Sequence, residues 1–415
     1  MFLLPDRDVP LVRVFAVFRG GSVYDPPEKA GLAQVLSLAW RSGGAGGLAP
    51  EALDDLLEGR GMDLSLGLGR DKGSASLTVL TADLDQGLDV LARLVREPTF
   101  RPDRVEWATA QVKDGIRREV DDPDTLAFRE LRRALYRGHP RGVIATEETV
   151  GRVTRDDVVA LHRRLVTEGT WALGAVGDFD PDALLEALER RFGPLPGEGT
   201  GFPPLPAAPE PAPRTVLVPK ALPQSTVVWA RFGPLRLSPE FYPLDLADYL
   251  LGGGGFQSLL VREVRSDRGL AYSVGSFYDA YPEFGVLGVL ASTKKESTAE
   301  VVELLAAVRE GAARRGFSPE DVARGKESLE NRYVFLYEDP ASSVREQLAL
   351  AVDGLPLDLP AAYLPSLRAV STDQVASAAR RYFPRVPGVT VVVGDVDPAA
   401  DAWKGGAPVE VVRLP

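Results

Sequence analysis

The chain has 415 residues, 45% hydrophobic and 26% charged, a globular composition long enough for more than one domain. With no cysteine, disulfides, iron–sulfur ligation, thiol nucleophiles and cysteine zinc sites are excluded, and His139 and His162 stand too far apart for a helical metal pair. A formal charge of −11 argues against nucleic acid or anionic lipid as main partner, and no window of about twenty apolar residues predicts a membrane span.

In chain order, the start at Phe2-Leu3-Leu4-Pro5 reads as a shortened first strand without the charged, apolar and small-residue regions of a signal peptide. Apolar alternation predicts strands at Leu11 to Phe18, Ser74 to Thr81 and Ala172 to Val176. The spacing of the second half predicts further strands at Ser225 to Arg231, Tyr272 to Phe277, Gly285 to Ser292 and Val389 to Val393. Helical periodicity marks Lys29 to Trp40, Pro50 to Glu58, Leu84 to Arg96, Pro102 to Val120, Arg155 to Leu165 and Pro181 to Arg191. It returns at Pro239 to Leu251, Phe256 to Ser266, Thr298 to Arg314 and Pro319 to Phe335. Proline at the first helical position followed by an acid, as in Arg101-Pro102-Asp103 and Ser318-Pro319-Glu320, is a helix start signal.

Between the halves, six prolines from Pro203 to Pro213 predict an extended linker over 201–214, with domains at 1–200 and 215–415. The halves repeat in one register. Phe100 and Phe317, Asp122-Pro123 and Asp339-Pro340, Val153 and Val370, and Arg163-Arg164 and Arg380-Arg381 all stand 217 positions apart. The same offset carries Gly177-Asp178-Phe179-Asp180-Pro181 onto Gly394-Asp395-Val396-Asp397-Pro398. A shared offset over so long a stretch points to one fold used twice. The element pattern is α+β: each half a mostly antiparallel sheet packed with helices.

Four motifs then carry a family resemblance. They are Gly21-Ser22-Val23-Tyr24-Asp25-Pro26 through Gly31-Leu32-Ala33, Asp121-Asp122-Pro123, Gly138-His139-Pro140-Arg141-Gly142, and Arg265-Ser266-Asp267-Arg268-Gly269-Leu270-Ala271-Tyr272. Together the chain resembles the M16 (pitrilysin, inverted zincin) peptidases, of the short bacterial M16B type. The resemblance implies a helical His-x-x-Glu-His after Gly-Leu-Ala, with two zinc-binding histidines, a glutamate base and a distant glutamate ligand. Here the matching positions are Gln34, Ser37 and Leu38, and the distant one falls at Gly115, so this chain is expected to hold no zinc.

In the second half the resemblance implies an arginine and a tyrosine that contact substrate carbonyls and the developing oxyanion beside a zinc held elsewhere. These are Arg265 and Tyr272, and both types suit charge that appears only in the transition state. The run Gly252-Gly253-Gly254-Gly255 lacks the Lys-Ser/Thr of a phosphate loop. It reads as a tight reversal between two helices that could let a peptide backbone approach. His139 is expected to be a structural loop residue and His162 a solvated helix residue.

The expectation that follows is a non-zinc-binding subunit of a heterodimeric metallopeptidase. A homologous partner with His-x-x-Glu-His would bring zinc, and this chain would bring Arg265 and Tyr272 for the hydrolysis of peptides or unfolded proteins. The alternative is a catalytically inert peptide-binding or assembly scaffold resembling the core subunits of the respiratory bc1 complex. For location, a bacterial cytoplasm and periplasm fit equally.

Overall fold

Strand alternation builds two sheets. A computed structural model describes residues 1–193, 202–384, 388–400, 403 and 406–414. Its strands are β1 (Phe2–Pro5), β2 (Leu11–Arg19), β3 (Asp63–Leu68), β4 (Lys72–Leu80), β5 (Trp171–Gly177), β6 (Arg214–Pro219), β7 (Gln224–Gly233), β8 (Ala271–Ala280), β9 (Gly285–Lys294), β10 (Val389–Gly394) and β11 (Val409–Val411). The helices are α1 (Leu32–Ser42), α2 (Pro50–Gly59), α3 (Leu84–Arg96), α4 (Pro102–Glu119), α5 (Pro123–Leu135), α6 (Glu147–Gly151) and α7 (Arg155–Glu168). They continue with α8 (Pro181–Phe192), α9 (Phe241–Asp248), α10 (Thr298–Arg315), α11 (Pro319–Leu336), α12 (Pro340–Asp353), α13 (Leu359–Ala369) and α14 (Thr372–Tyr382). Among the described residues no helix is long and apolar enough to cross a membrane.

The first sheet runs β1-β5-β2-β4-β3 and the second β11-β6-β10-β7-β9-β8. Strands β6, β10, β7, β9 and β8 thus stand in the order of β1, β5, β2, β4 and β3, the structural counterpart of the sequence repeat. The sheets are mixed. β1 pairs in parallel with β5, and β6 in parallel with both β10 and β11, while the remaining pairs are antiparallel. Most pairs in each sheet are antiparallel, as expected from the sequence, and the parallel pairs are those made by β1, β6 and β11.

The packing units do not follow the expected halves. One comprises Met1–Arg117, Val143–Leu205 and Leu336–Leu357; the other comprises Arg118–Gly142, Pro206–Phe335 and Asp358–Pro415. The reason lies in two helices at equivalent places in the repeat. In the first unit, α12 lays Ala341, Val344 and Leu348 on Phe15 and Val176. That explains why β2 buries Phe15 as well as Val14 and Ala16, although a strand covered on one face alternates strictly. Lys72 adds a 2.6 Å ion pair to Asp353, and Arg19 donates to the Val352 carbonyl.

In the second unit, α5 packs Leu126, Leu131 and Leu135 against Val216, Val228 and Val391. Asp122 caps α5 by accepting from the Thr125 N–H at 2.7 Å, and Thr226 Oγ1 donates to Asp124 at 2.6 Å. Each buried leucine, valine or phenylalanine contributes roughly 1.5–3 kcal/mol, so either helix is a substantial share of its unit's stability. Of the proline-rich stretch, Phe202–Pro213 is neither helix nor strand. Gly201 and the end of the expected first domain, 194–200, lie outside the described residues.

Both histidines are structural. His139 is buried; its Nε2 donates to the Pro206 carbonyl at 2.8 Å and its Nδ1 accepts from the Arg141 N–H. His162 is buried rather than solvated. Its Nε2 donates to the Val95 carbonyl at 2.9 Å, and its ring sits edge-on to Trp40 and Phe100. Helical position alone did not reveal that this face turns inward. Burial holds the imidazole down at about 4.

Candidate functional site

α1 begins at Gly31, whose φ of 103° lies in the left-handed region; a Cβ there would stand 2.5 Å from Val150 Cγ2. Asp25 is the cap in all but position. Its buried carboxylate accepts from the Gly31 N–H at 2.9 Å and the Ala33 N–H at 3.1 Å, at the positive end of the helix. Burial pushes this carboxyl up to about 7, against the pull of the Gly31, Ala33 and Leu32 amides.

One turn on, the three positions aligned with a zinc motif carry different chemistry. Gln34 is exposed and Leu38 is 40% exposed. Ser37 has its hydroxyl fully used: it donates to the Ala33 carbonyl at 2.8 Å and accepts from the Leu68 N–H at 2.7 Å, tying α1 to the end of β3. On α4, Gly115 has open space where a side chain would project. A neutral amide, an occupied hydroxyl, an alkyl group and a glycine do not make a donor set for zinc. Among the described residues no group of three or more His, Cys, Asp or Glu side chains could hold a metal ion.

In the second unit, α9 ends at Asp248 and the chain widens into a π turn at Tyr249–Gly253. The expected helix Pro239 to Leu251 is therefore α-helical only in part. The glycines follow from packing. A Cβ on Gly252 would lie 2.4 Å from the Ser276 N–H nitrogen of β8, and Gly255 has a φ of 64°. Gly253 and Gly254 complete the run and lie against Asp248 and Tyr249. The segment expected as one helix from Phe256 to Ser266 opens as a short 3-10 turn, Gly255–Gln257, and closes as a π turn, Val261–Ser266.

Under the glycines, Asp248 is buried and its Oδ1 has no hydrogen-bond partner. The Ser276 hydroxyl donates to the Asp248 carbonyl at 3.0 Å. Burial drives the Asp248 carboxyl up to about 7, with Asp245 and Asp279 adding like charge.

Arg265 sits on the π turn and Tyr272 at the start of β8. Ala271 pairs with Thr293 and Ser273 with Ser292, so Tyr272 is the extra residue of a β-bulge. A bulge re-aims a side chain, and the Tyr272 ring is 79% exposed. The Arg265 guanidinium lies 5.9 Å from the Tyr272 ring centre and 5.2 Å from that of Phe256. Phe256 is itself 75% exposed. Among the described residues neither Arg265 nor Tyr272 makes a side-chain hydrogen bond or ion pair, and both are exposed. The structure brings Arg265, Tyr272 and the glycine loop together on one unit, and Gln34, Ser37 and Leu38 together on one helix of the other.

Two sheets of one strand order, each packed by helices, define an α+β protein of two M16-type domains. The profile "Insulinase (Peptidase family M16)" matches residues 3–147, and "Peptidase M16 inactive domain" matches residues 152–329. The chain belongs to the M16 peptidase family.

Among relatives, an uncharacterized zinc protease of Mycobacterium tuberculosis is 31% identical over 275 residues, 64% of this chain and 61% of the relative. The chain thus covers less than two thirds of that relative's length. An uncharacterized zinc protease of Rickettsia felis is 24% identical, over 81% of each chain. Among solved structures, a peptidase M16 inactive domain from Pseudomonas fluorescens superposes with a TM-score of 0.87 at 23% identity, covering 98% of this chain and 96% of that one. A chain of Complex III2 from Candida albicans gives 0.77 at 15% identity, covering 96% and 94%.

Phe256 is the site residue that sequence reasoning passed over. Its signal was an aromatic side chain placed directly after a glycine run, where a buried anchor is the ordinary role.

Proposed function

We propose that this chain is the non-zinc-binding subunit of a heterodimeric M16B-type metallopeptidase acting on peptides or unfolded proteins. Its partner is a homologous chain carrying His-x-x-Glu-His, which holds the zinc, the activated water and the base. This chain supplies Arg265 and Tyr272, with Gly252 to Gly255 as the neighbouring substrate loop. The sequence halves 1–200 and 215–415, joined by 201–214, are its two homologous domains.

One observation supports this reading above the others: an exposed guanidinium and an exposed phenol stand side by side, and among the described residues neither has a side-chain hydrogen bond or ion pair. Both are donors. Placed beside a carbonyl under attack, they stabilise the oxygen as it gains charge, and a bulge and a π turn hold them there in advance. At the degenerate positions, Gln34, Ser37, Leu38 and Gly115 offer no carboxylate or imidazole, so the water-activating step is assigned to the partner.

The test uses three preparations with one quenched unfolded peptide: this chain, the His-x-x-Glu-His chain of the same genome, and the two mixed. Cleavage only in the mixture, or raised at least tenfold there, supports the subunit reading. Zinc bound one-to-one by this chain alone contradicts it. A stable mixed complex that cleaves nothing favours the inert scaffold instead.

A further inference from the structure

Phe256 has no place in the chemistry just assigned. Its ring is 75% exposed at the end of the glycine run, and the contact found for it is with the Arg265 guanidinium, 5.2 Å from the ring centre. Tyr272 flanks the same cation at 5.9 Å and is 79% exposed. Two exposed aromatic rings thus flank one guanidinium, which puts apolar surface next to a charged donor. A phenylalanine left in water forgoes the burial that makes aromatic rings dominant at interfaces, while the cation contact by itself is worth little at an exposed site.

We propose that Phe256, with Arg265 and Tyr272, forms a side-chain subsite that selects extended peptides bearing a large apolar residue. The inference rests on the peptide-binding reading of Arg265 and Tyr272 and adds to it a preference and the residue that sets it. The occupant follows from the composition of the site. A main-chain carbonyl accepts from the Arg265 guanidinium or the Tyr272 hydroxyl, and the adjoining large apolar side chain covers the Phe256 ring. Gly255, whose added Cβ would meet nothing within 4 Å, leaves the approach to that ring open. An acidic side chain in the same place would be drawn to Arg265 but would leave the ring wet, so the two kinds of peptide separate the ring's contribution from the charge's.

The experiment is done on the full chain without a partner. Two fluorescein-labelled unfolded peptides of equal length, identical except for a central Phe or Asp, are titrated and followed by anisotropy. The wild type is expected to bind the Phe peptide about tenfold more tightly than the Asp peptide, the order expected for covering part of one aromatic ring. Phe256→Ala is expected to abolish that ratio, Phe256→Leu to keep most of it, and both to melt at the wild-type temperature because the ring is exposed. Arg265→Ala is expected to weaken both peptides, the Asp peptide more because it also loses its attraction to the guanidinium. An unchanged Phe/Asp ratio in Phe256→Ala overturns the inference and leaves the peptide-binding reading standing. Binding of neither peptide by the wild type overturns that reading and the inference with it.

Discussion

Asp248 and Tyr272 lie on opposite sides of the same question, since one is a carboxyl shut away from water and the other a phenol held out into it. The folded-state pKa of Asp248 is about 7 against 3.8 for the ordinary group. The folded protein keeps a proton that the unfolded chain loses. Its contribution to stability is fully present below 3.8 and is lost as pH rises through about 7, at no more than roughly 1.4 kcal/mol per pH unit. Asp248→Asn removes that loss. Its melting temperature is expected to exceed the wild type's by a margin that grows between about pH 5 and pH 8; a constant margin contradicts the raised, buried carboxyl. His162 has the opposite sign. Its folded pKa of about 4 lies below the ordinary 6.5, so its contribution is present above 6.5 and lost as pH falls through 4. In His162→Gln, the acid side of a thermal-melt profile is expected to flatten over that window.

At the scale of elements, α1 is where sequence and structure agree for reasons that can be stated. Gly31-Leu32-Ala33 marks a helix start, and the left-handed Gly31 with Asp25 across its amides explains why those residue types stand there. The helix face was legible because period 3.6 fixes which residues share a side. The bond from the Leu68 N–H to Ser37 was not, because β3 is short, glycine-bearing and absent from the predicted strands. Ser37→Ala is expected to cost about 1–2 kcal/mol in denaturant unfolding, since it strands the Leu68 amide. Helical spacing also makes a constructive prediction. Gln34→His with Leu38→His puts two imidazoles four apart on an accessible face, and Gly115→Glu places a carboxylate in open space. The triple variant is expected to bind zinc by equilibrium dialysis where the wild type binds none, and absence of any gain contradicts the alignment of these positions. The π turns around Arg265 could not be read from pattern, because an i→i+5 turn carries no periodicity of its own.

For the whole molecule, the duplication was legible from one constant offset, but the exchange of α5 and α12 was not. Local patterning says that an amphipathic helix needs a sheet, not which sheet. The consequence is that residues 1–200 expressed alone lack the cover of Ala341, Val344 and Leu348 over Phe15 and Val176. That fragment is expected to show no cooperative melt, and a sharp transition would contradict the packing described. The proposed division of labour likewise belongs to the whole molecule, since chemistry missing at Gln34, Ser37, Leu38 and Gly115 is assigned to a second chain. It is tested most directly by the kcat of the mixed complex when this chain carries Arg265→Ala or Tyr272→Phe. Either change is expected to lower kcat by about 100-fold, the scale for losing one oxyanion donor, with melting temperature and complex formation unchanged. A kcat equal to that of the wild-type mixture would contradict the account.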